Sequence, residues 1–202
     1  MALEEIRSPK QLLVEGKSGV AFFNALIRHL GLADVQIQDF GGKDDLRGFL
    51  NAFSLAPGFA AGVKSLGIVR DAESDARAAR QSVLDSLAAA RLPCPAQAEV
   101  FAGDRPKVGV LILPDACAPG MLETLCIQSV SGDPVWPCVE DYLRCVAEKA
   151  GHAPKPLDKA RIQAFLASRE RPGLLLGHAA QVGCFPWDNP AFERVKTFLR
   201  QM

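Results

Sequence analysis

Two apolar runs that end abruptly at acidic residues constrain the fold most. The run at 12–14 ends at Glu15, and the run at 66–69 leads to Asp71. Short apolar runs bounded by glycine and charge are typical of buried strands in a parallel sheet. Ligands of open α/β sheets bind in the crevice beyond the carboxyl ends of the strands. We therefore expect the two runs to bring carboxylates to one edge of a sheet.

Four acids are expected at this edge: Glu15, Asp71, Glu73 and Asp75. Asp71 and Glu73 would project to the same side if the strand end stays extended, because side chains alternate along a strand. Carboxylates held close together without a cation repel one another, which raises their pKa values. Hard oxygen ligands of this kind suit a divalent cation. The sequence therefore predicts a Mg²⁺ site, and Mn²⁺ also fits it.

The remaining patterns alternate between strand and helix and then become helical. The predicted strands cover 10–15, 35–37, 64–70 and 108–114, with a hairpin-like stretch at 99–101. The predicted helices cover 17–29, 46–53, 74–91, 121–127, 135–150, 156–168 and 190–200. This order favours an α/β fold with a mostly parallel, Rossmann-like sheet flanked by helices and a helical C-terminal third. We expect an α/β domain over 1–130 and a helical extension over 131–202 packed on the same core.

Composition excludes several classes of protein. The 23 basic and 23 acidic residues give a formal net charge of zero. The chain therefore lacks the basic excess that would indicate nucleic-acid binding by the whole surface. No apolar run approaches the ~20 residues of a membrane helix. The N-terminal segment lacks a signal-peptide pattern, so we expect a cytoplasmic protein with no membrane partner. The six cysteines form no CxxC pair, which favours reduced thiols over a zinc site.

The strand-end motifs resemble those of the Toprim domain, the metal-binding fold of topoisomerases, bacterial primases, OLD-family nucleases and some small RNA-processing nucleases. VEGKSG supplies Glu15 followed by Gly16, and RDAESD supplies Asp71 with Glu73 where the family pattern has a second Asp. The likeness covers roughly residues 10–125 and is closest to small stand-alone, OLD-like Toprim proteins without an assigned activity. It implies a Toprim-like fold.

The resemblance also implies a role for each candidate residue. Glu15 would be the general acid or base of strand cleavage. OLD-like nucleases add a Glu and a Lys, for which Glu123 and Lys159 are the matches in this sequence. Lys17 and Lys159 would neutralise a phosphate or a leaving group. The implied metal ligands, or their outer shell, are Asp71, Glu73, Asp75 and Glu123.

Each of these residues also has an ordinary structural interpretation. The acids between 71 and 75 can cap a helix or offset its dipole. Glu123 can be a first-turn acid and Lys159 a solvated helix lysine. Asp115 follows the predicted strand at 108–114, and the sequence leaves open whether it lies at the same sheet edge as the other acids.

The leading hypothesis is a Mg²⁺-dependent Toprim-fold enzyme that acts on phosphodiester bonds, namely a nuclease. The first alternative is a non-catalytic Toprim-like module that binds metal or nucleic acid and works with a partner protein. The second alternative is an enzyme that acts on small phosphate esters at the same metal site. The sequence leaves the choice of DNA or RNA, the number of metal ions and the oligomeric state open.

Overall fold

The computed structural model describes residues 3–202, so the first two residues of the predicted α/β domain lie outside the described part. Its strands are β1 (Lys10–Val14), β2 (Val35–Asp39), β3 (Ser65–Asp71) and β4 (Lys107–Leu113). They form one sheet in the order β2-β1-β3-β4, and all three strand pairings are parallel. The predicted α/β class with a parallel, Rossmann-like sheet is confirmed.

Helices flank the sheet and make up the C-terminal part. They are α1 (Gly16–His29), α2 (Leu46–Ser54), α3 (Phe59–Gly62), α4 (Ala76–Ala89), α5 (Leu122–Val130), α6 (Trp136–Ala150), α7 (Leu157–Ala167), α8 (Leu176–Gln181) and α9 (Glu193–Arg200). Every predicted helix is present within a few residues, and a 3₁₀ turn precedes α9. The sequence patterns miss α3 and α8, which have 4 and 6 residues and are too short to show a helical period.

The sheet is buried on both faces. Leu12, Val14 and Val69 point to one face, where they join a core with side chains of α1 and the C-terminal helices. Leu13 and Ile68 point to the other face, where they pack with side chains of α2 and α4. The alternation of strand side chains explains the division, and burial on both faces explains why the strands are continuously apolar. The C-terminal helices thus pack on the sheet, while the boundary at residue 130 stays a prediction.

The outer edge of β4 is covered by the stretch that the sequence predicts to be hairpin-like. The N–H of Glu99 donates to the carbonyl of Val110 at 3.0 Å, and Ala102 pairs with Val108 in antiparallel orientation. Phe101 lies between these two contacts and packs on Phe198, with ring centroids 5.1 Å apart. Covering an edge strand in this way removes a surface on which other chains could pair.

No helix within residues 3–202 combines the length and apolarity that a membrane crossing requires.

Two glycine-to-alanine substitutions test the packing at this edge. A Cβ at Gly109 would lie 2.7 Å from ring atoms of Phe101, so the ring has to move. We expect Gly109→Ala to lower the free energy of unfolding by about 1–3 kcal/mol, the usual cost of overpacking. Gly48 is exposed within α2, and a Cβ there meets no described atom within 4 Å. Gly48→Ala should therefore raise the free energy of unfolding by about 0.5–1 kcal/mol.

Urea unfolding of both variants beside the wild type measures these changes. A Gly109→Ala variant as stable as the wild type would contradict the close packing of Phe101 on β4.

Candidate active site

Glu15 and Asp71 come from the ends of two adjacent strands. Glu15 directly follows β1 and is the N-cap residue of α1, while Asp71 is the last residue of β3. β1 and β3 are hydrogen-bonded neighbours that run parallel, with Leu13 opposite Ile68. The two carboxylates are close enough for the charge of Glu15 to raise the pKa of Asp71. The structure thus brings together the two acids that the sequence places at strand ends.

Asp71 is partly buried, and one of its oxygens already has a partner. Oδ1 accepts a hydrogen bond of 2.9 Å from the backbone N–H of Leu122, the first residue of α5. Loss of solvent raises the pKa of Asp71 to about 7, and the charges of Glu15 and Glu123 add to the rise. The Leu122 N–H and the Lys159 charge act in the opposite direction. The upward shift expected of clustered carboxylates is present, and burial is its larger cause.

Glu15 is also partly buried, and its Oε2 has no hydrogen-bond partner among residues 3–202. Burial raises the pKa of Glu15; the charge of Arg70 lowers it, and that of Glu73 raises it. Lys159 and Lys43 also lower this pKa. A carboxyl group whose pKa is raised by burial holds a proton more readily, which suits a general acid or base.

Glu123 and Lys159 reach the same edge from helices of the C-terminal half. Glu123 lies in the first turn of α5 and is partly buried, whereas Lys159 lies in the first turn of α7 and is exposed. The hydroxyl of Thr124 donates to Oδ2 of Asp158 at 2.6 Å, which ties the start of α7 to the start of α5. The charge of Lys159 lowers the pKa of both strand-end acids. Lys159 therefore lies near both strand-end acids, and Glu123 lies near Asp71.

Glu73 takes a different position from the expected one. The expectation that it continues an extended strand end beside Asp71 is wrong, because β3 ends at Asp71 and Glu73 has a left-handed φ of 54°. Its backbone exchanges two hydrogen bonds of 2.7 Å with Gly120. Its half-exposed carboxylate forms an ion pair of 3.1 Å with Lys43. Glu73 still acts on Glu15 through its charge, and its role as a ligand stays a prediction.

Asp75 caps a helix. Its Oδ1 accepts hydrogen bonds of 2.9 and 3.0 Å from the backbone N–H groups of Arg77 and Ala78 at the start of α4. This is the structural interpretation that the sequence left open for the acids between 71 and 75. The side chain is exposed. Its role as a magnesium ligand stays a prediction.

Lys17 follows β1 and Asp115 follows β4. Lys17 is exposed in the first turn of α1. Asp115 follows β4, and its Oδ1 accepts hydrogen bonds of 2.6 and 2.7 Å from the N–H groups of Ala118 and Cys117. These bonds lower the pKa of Asp115 and hold the turn that leads to α5. Asp115 therefore has a turn-forming function at the end of its strand.

Three residues near this edge were missed by the sequence analysis. Asp39, at the end of β2, accepts hydrogen bonds from the N–H groups of Gly16 at 2.9 Å and Gly41 at 2.8 Å. Lys43 follows in the same loop and pairs with Glu73. Arg70 is a buried cation in the middle strand of the site, with 6% of its surface exposed. A charged residue at the last buried position of a central strand was the available signal for Arg70.

The donor set fits Mg²⁺ or Mn²⁺ in its chemistry. Asp71 and Glu123 offer carboxylate oxygens, and Asp71 has only Oδ1 bound to a backbone N–H. Within residues 3–202, no three His, Cys, Asp or Glu side chains form a group that could hold a metal ion. Magnesium is commonly bound through one or two carboxylates, waters and substrate phosphates. Two carboxylates from this edge are therefore a sufficient protein contribution.

Asp71→Asn tests the cost of placing a charge at the strand end. The folded protein retains the Asp71 proton between about pH 4 and pH 7, where the unfolded chain has lost it. The stability contributed by protonated Asp71 is therefore lost as the pH rises through this window. Above it, the ionised carboxylate lowers the free energy of unfolding by up to about 4 kcal/mol. We expect Asp71→Asn to be more stable than the wild type at about pH 8 and equally stable at about pH 4.

Urea unfolding at both pH values without divalent metal measures this difference. Asn can still accept the hydrogen bond from Leu122, so the substitution changes mainly the charge. Asp85→Asn, on an exposed position of α4, is the control and should show no gain at either pH. A gain from Asp71→Asn of the same size at both pH values would rule out ionisation as its cause.

A second pair of variants tests the capping function of Asp75. Asp75→Ala should lower the free energy of unfolding by about 1 kcal/mol, because two N–H groups of α4 lose their acceptor. Asp75→Asn should be nearly neutral, because Asn is an equally good N-cap residue. Thermal or urea unfolding distinguishes the two, and equal losses in both variants would show that the charge matters more than the cap.

Comparison with known families places almost the whole chain in one of them. The family described as "Protein of unknown function (DUF3226)" matches residues 9–202. No curated protein and no solved structure matches the chain. The matched region includes all the candidate residues between Glu15 and Lys159. The chain belongs to the DUF3226 family.

Proposed function

We propose that the chain is a Mg²⁺-dependent, Toprim-type enzyme that cleaves phosphodiester bonds in nucleic acid. The observation that carries the proposal is the position of Glu15 and Asp71 at the ends of neighbouring parallel strands, with Glu123 at the start of α5 beside them. The Toprim-like motifs in the sequence imply such a meeting of acids. The all-oxygen donor set supports the choice of metal.

Glu15 acts as the general base. Its Oε2 has no partner in residues 3–202 and is available to accept a proton. The oxygen of the attacking water forms a bond to phosphorus while its proton passes to Glu15. The P–O bond to the leaving oxygen breaks, and the leaving oxygen takes a proton from solvent. Burial of Glu15 favours this role, because it strengthens the hold of the carboxylate on a proton.

Asp71 and Glu123 would hold the metal. Asp71 binds the Leu122 N–H through Oδ1, which leaves Oδ2 for a cation. When bound, Mg²⁺ neutralises charge on the phosphate and lowers the pKa of water. Glu73, held by Lys43 at the same edge, is suited to the outer shell. Mn²⁺ accepts the same oxygen ligands.

Lysines near the site would bind the nucleic acid through local positive charge. The formal net charge of the chain is zero, so binding by the whole surface is not expected. Lys159 and Lys43 both act on Glu15 through their charges and are suited to a phosphate group beside it. Lys17, exposed in the first turn of α1, adds to the positive end of that helix.

The six cysteines are free thiols, which supports a location in the reducing cytoplasm.

Metal titration is the first test. Calorimetry should show saturable binding of Mg²⁺ and Mn²⁺ to the wild type, and binding should be lost in Asp71→Asn because a ligand charge is removed. Glu15→Gln should retain metal binding and lose about 10²-fold or more in cleavage of DNA or RNA, the usual contribution of a general base.

Asp85→Ala, on the exposed surface of α4, is the control and should keep both binding and cleavage. Since Asp71→Asn is expected to be at least as stable as the wild type, unfolding cannot explain its loss of metal. Undiminished cleavage in both Glu15→Gln and Asp71→Asn would refute the proposed site.

A non-catalytic module that works with a partner protein is the second candidate. It is favoured by the lack, in the described residues, of a three-residue metal cluster and by the use of Asp75 as a helix cap. Such a module would bind nucleic acid in a salt-sensitive manner without cleaving it under Mg²⁺ or Mn²⁺. Turnover of a small phosphate ester without cleavage of a polymer would instead support an esterase at the same site.

A further inference from the structure

Arg70 is a buried cation without a matching acceptor. Only 6% of its surface is exposed, and its Nε and Nη1 have no hydrogen-bond partner among the described residues. No carboxylate in residues 3–202 lies within 4.0 Å of its guanidinium as an ion pair. Burying a charged group without hydrogen bonds is strongly unfavourable, so proteins rarely keep one without a use. Arg70 therefore has donor capacity that the fold itself does not use.

The strand register places Arg70 beside Glu15. Leu13 and Ile68 are opposite each other and face the core formed with α2 and α4. Glu15 and Arg70 each follow two residues later, so they emerge at the same level of the sheet. The charge of Arg70 is the strongest of those that lower the pKa of Glu15.

The surroundings of Arg70 favour an anion. The 14-residue helix α1 begins at Gly16, so its positive N-terminal end lies at this edge. Lys43 and Lys159 add charge near Glu15. None of the described carboxylates forms an ion pair with Arg70: Glu73 is paired with Lys43, and Asp71 Oδ1 accepts from the Leu122 N–H.

We infer that Arg70 is a phosphate-binding residue of this site, whose N–H groups donate to a non-bridging oxygen of the substrate phosphodiester beside Glu15. This inference rests on the proposed function. A phosphodiester oxygen accepts hydrogen bonds and donates none, which matches a guanidinium, whereas Glu15 accepts from water. Arginine binds phosphate through several N–H groups at fixed angles, which lysine cannot reproduce. Glu15 and Arg70 then divide the work: the first takes the proton and the second holds the phosphate.

Titration of the wild-type protein with inorganic phosphate, observed through the NMR signal of the Arg70 Nε–H group, tests the inference. We expect a saturable change in this signal and slower exchange of its proton with solvent. Arg70→Lys should weaken phosphate binding about tenfold or more, because the charge remains but the directed N–H groups are lost. Arg77→Lys, on an exposed position of α4, is the matched control and should bind phosphate as the wild type does.

An Arg70 signal that phosphate leaves unchanged at millimolar concentration would overturn the inference. If that signal moves in Glu15→Gln, Arg70 is only a structural partner of the Glu15 carboxylate. Both signals are measured on folded protein whether or not Arg70→Lys folds.

The metal titration separates this inference from the proposed function. If Asp71→Asn loses metal while phosphate leaves Arg70 unchanged, the function stands and the role of Arg70 fails. If Arg70 responds to phosphate while Asp71→Asn still binds metal, the metal assignment fails and the phosphate site stands.

Discussion

The parallel pairing of β1 with β3 is the constraint on which the site depends. Two neighbouring parallel strands end at the same edge, so the residues that follow Val14 and Val69 have to share it. Both strands are buried on both faces, which places Glu15, Arg70 and Asp71 where solvent cannot fully compensate their charges. This burial is the largest cause of the raised pKa values of Glu15 and Asp71.

The carboxylates around this edge divide into those that hold the backbone and those that remain free. Asp39, Asp75 and Asp115 accept hydrogen bonds from backbone N–H groups and so fix the turns that follow β2, β3 and β4. Their short side chains suit this local function. Asp71 gives one oxygen to Leu122, and Glu15 leaves Oε2 without a partner in the described chain. The acids to which the proposed function assigns chemistry are those that the turns do not use.

The C-terminal helices belong to the site as well as to the core. The hydrogen bond between Thr124 and Asp158 joins α5 to α7 and brings Lys159 near the strand-end acids. Side chains of α7, α8 and α9 share one hydrophobic core with β1 and β3. The proposed division of the chain near residue 130 therefore does not separate the site from the helical extension: catalysis at Glu15 would depend on the packing of helices far along the chain.

The sequence by itself determined the order of strands and helices and the position of Glu15 and Asp71 at strand ends. Apolar runs and the charges that stop them are local patterns, so they are visible before folding. Only the tertiary structure decided which acids remain free. The left-handed backbone of Glu73, which is bonded to Gly120, and the orphaned guanidinium of Arg70 both depend on how distant segments pack. Strand order and helix packing create these arrangements, so the local periodicity of apolar residues in the sequence does not predict them.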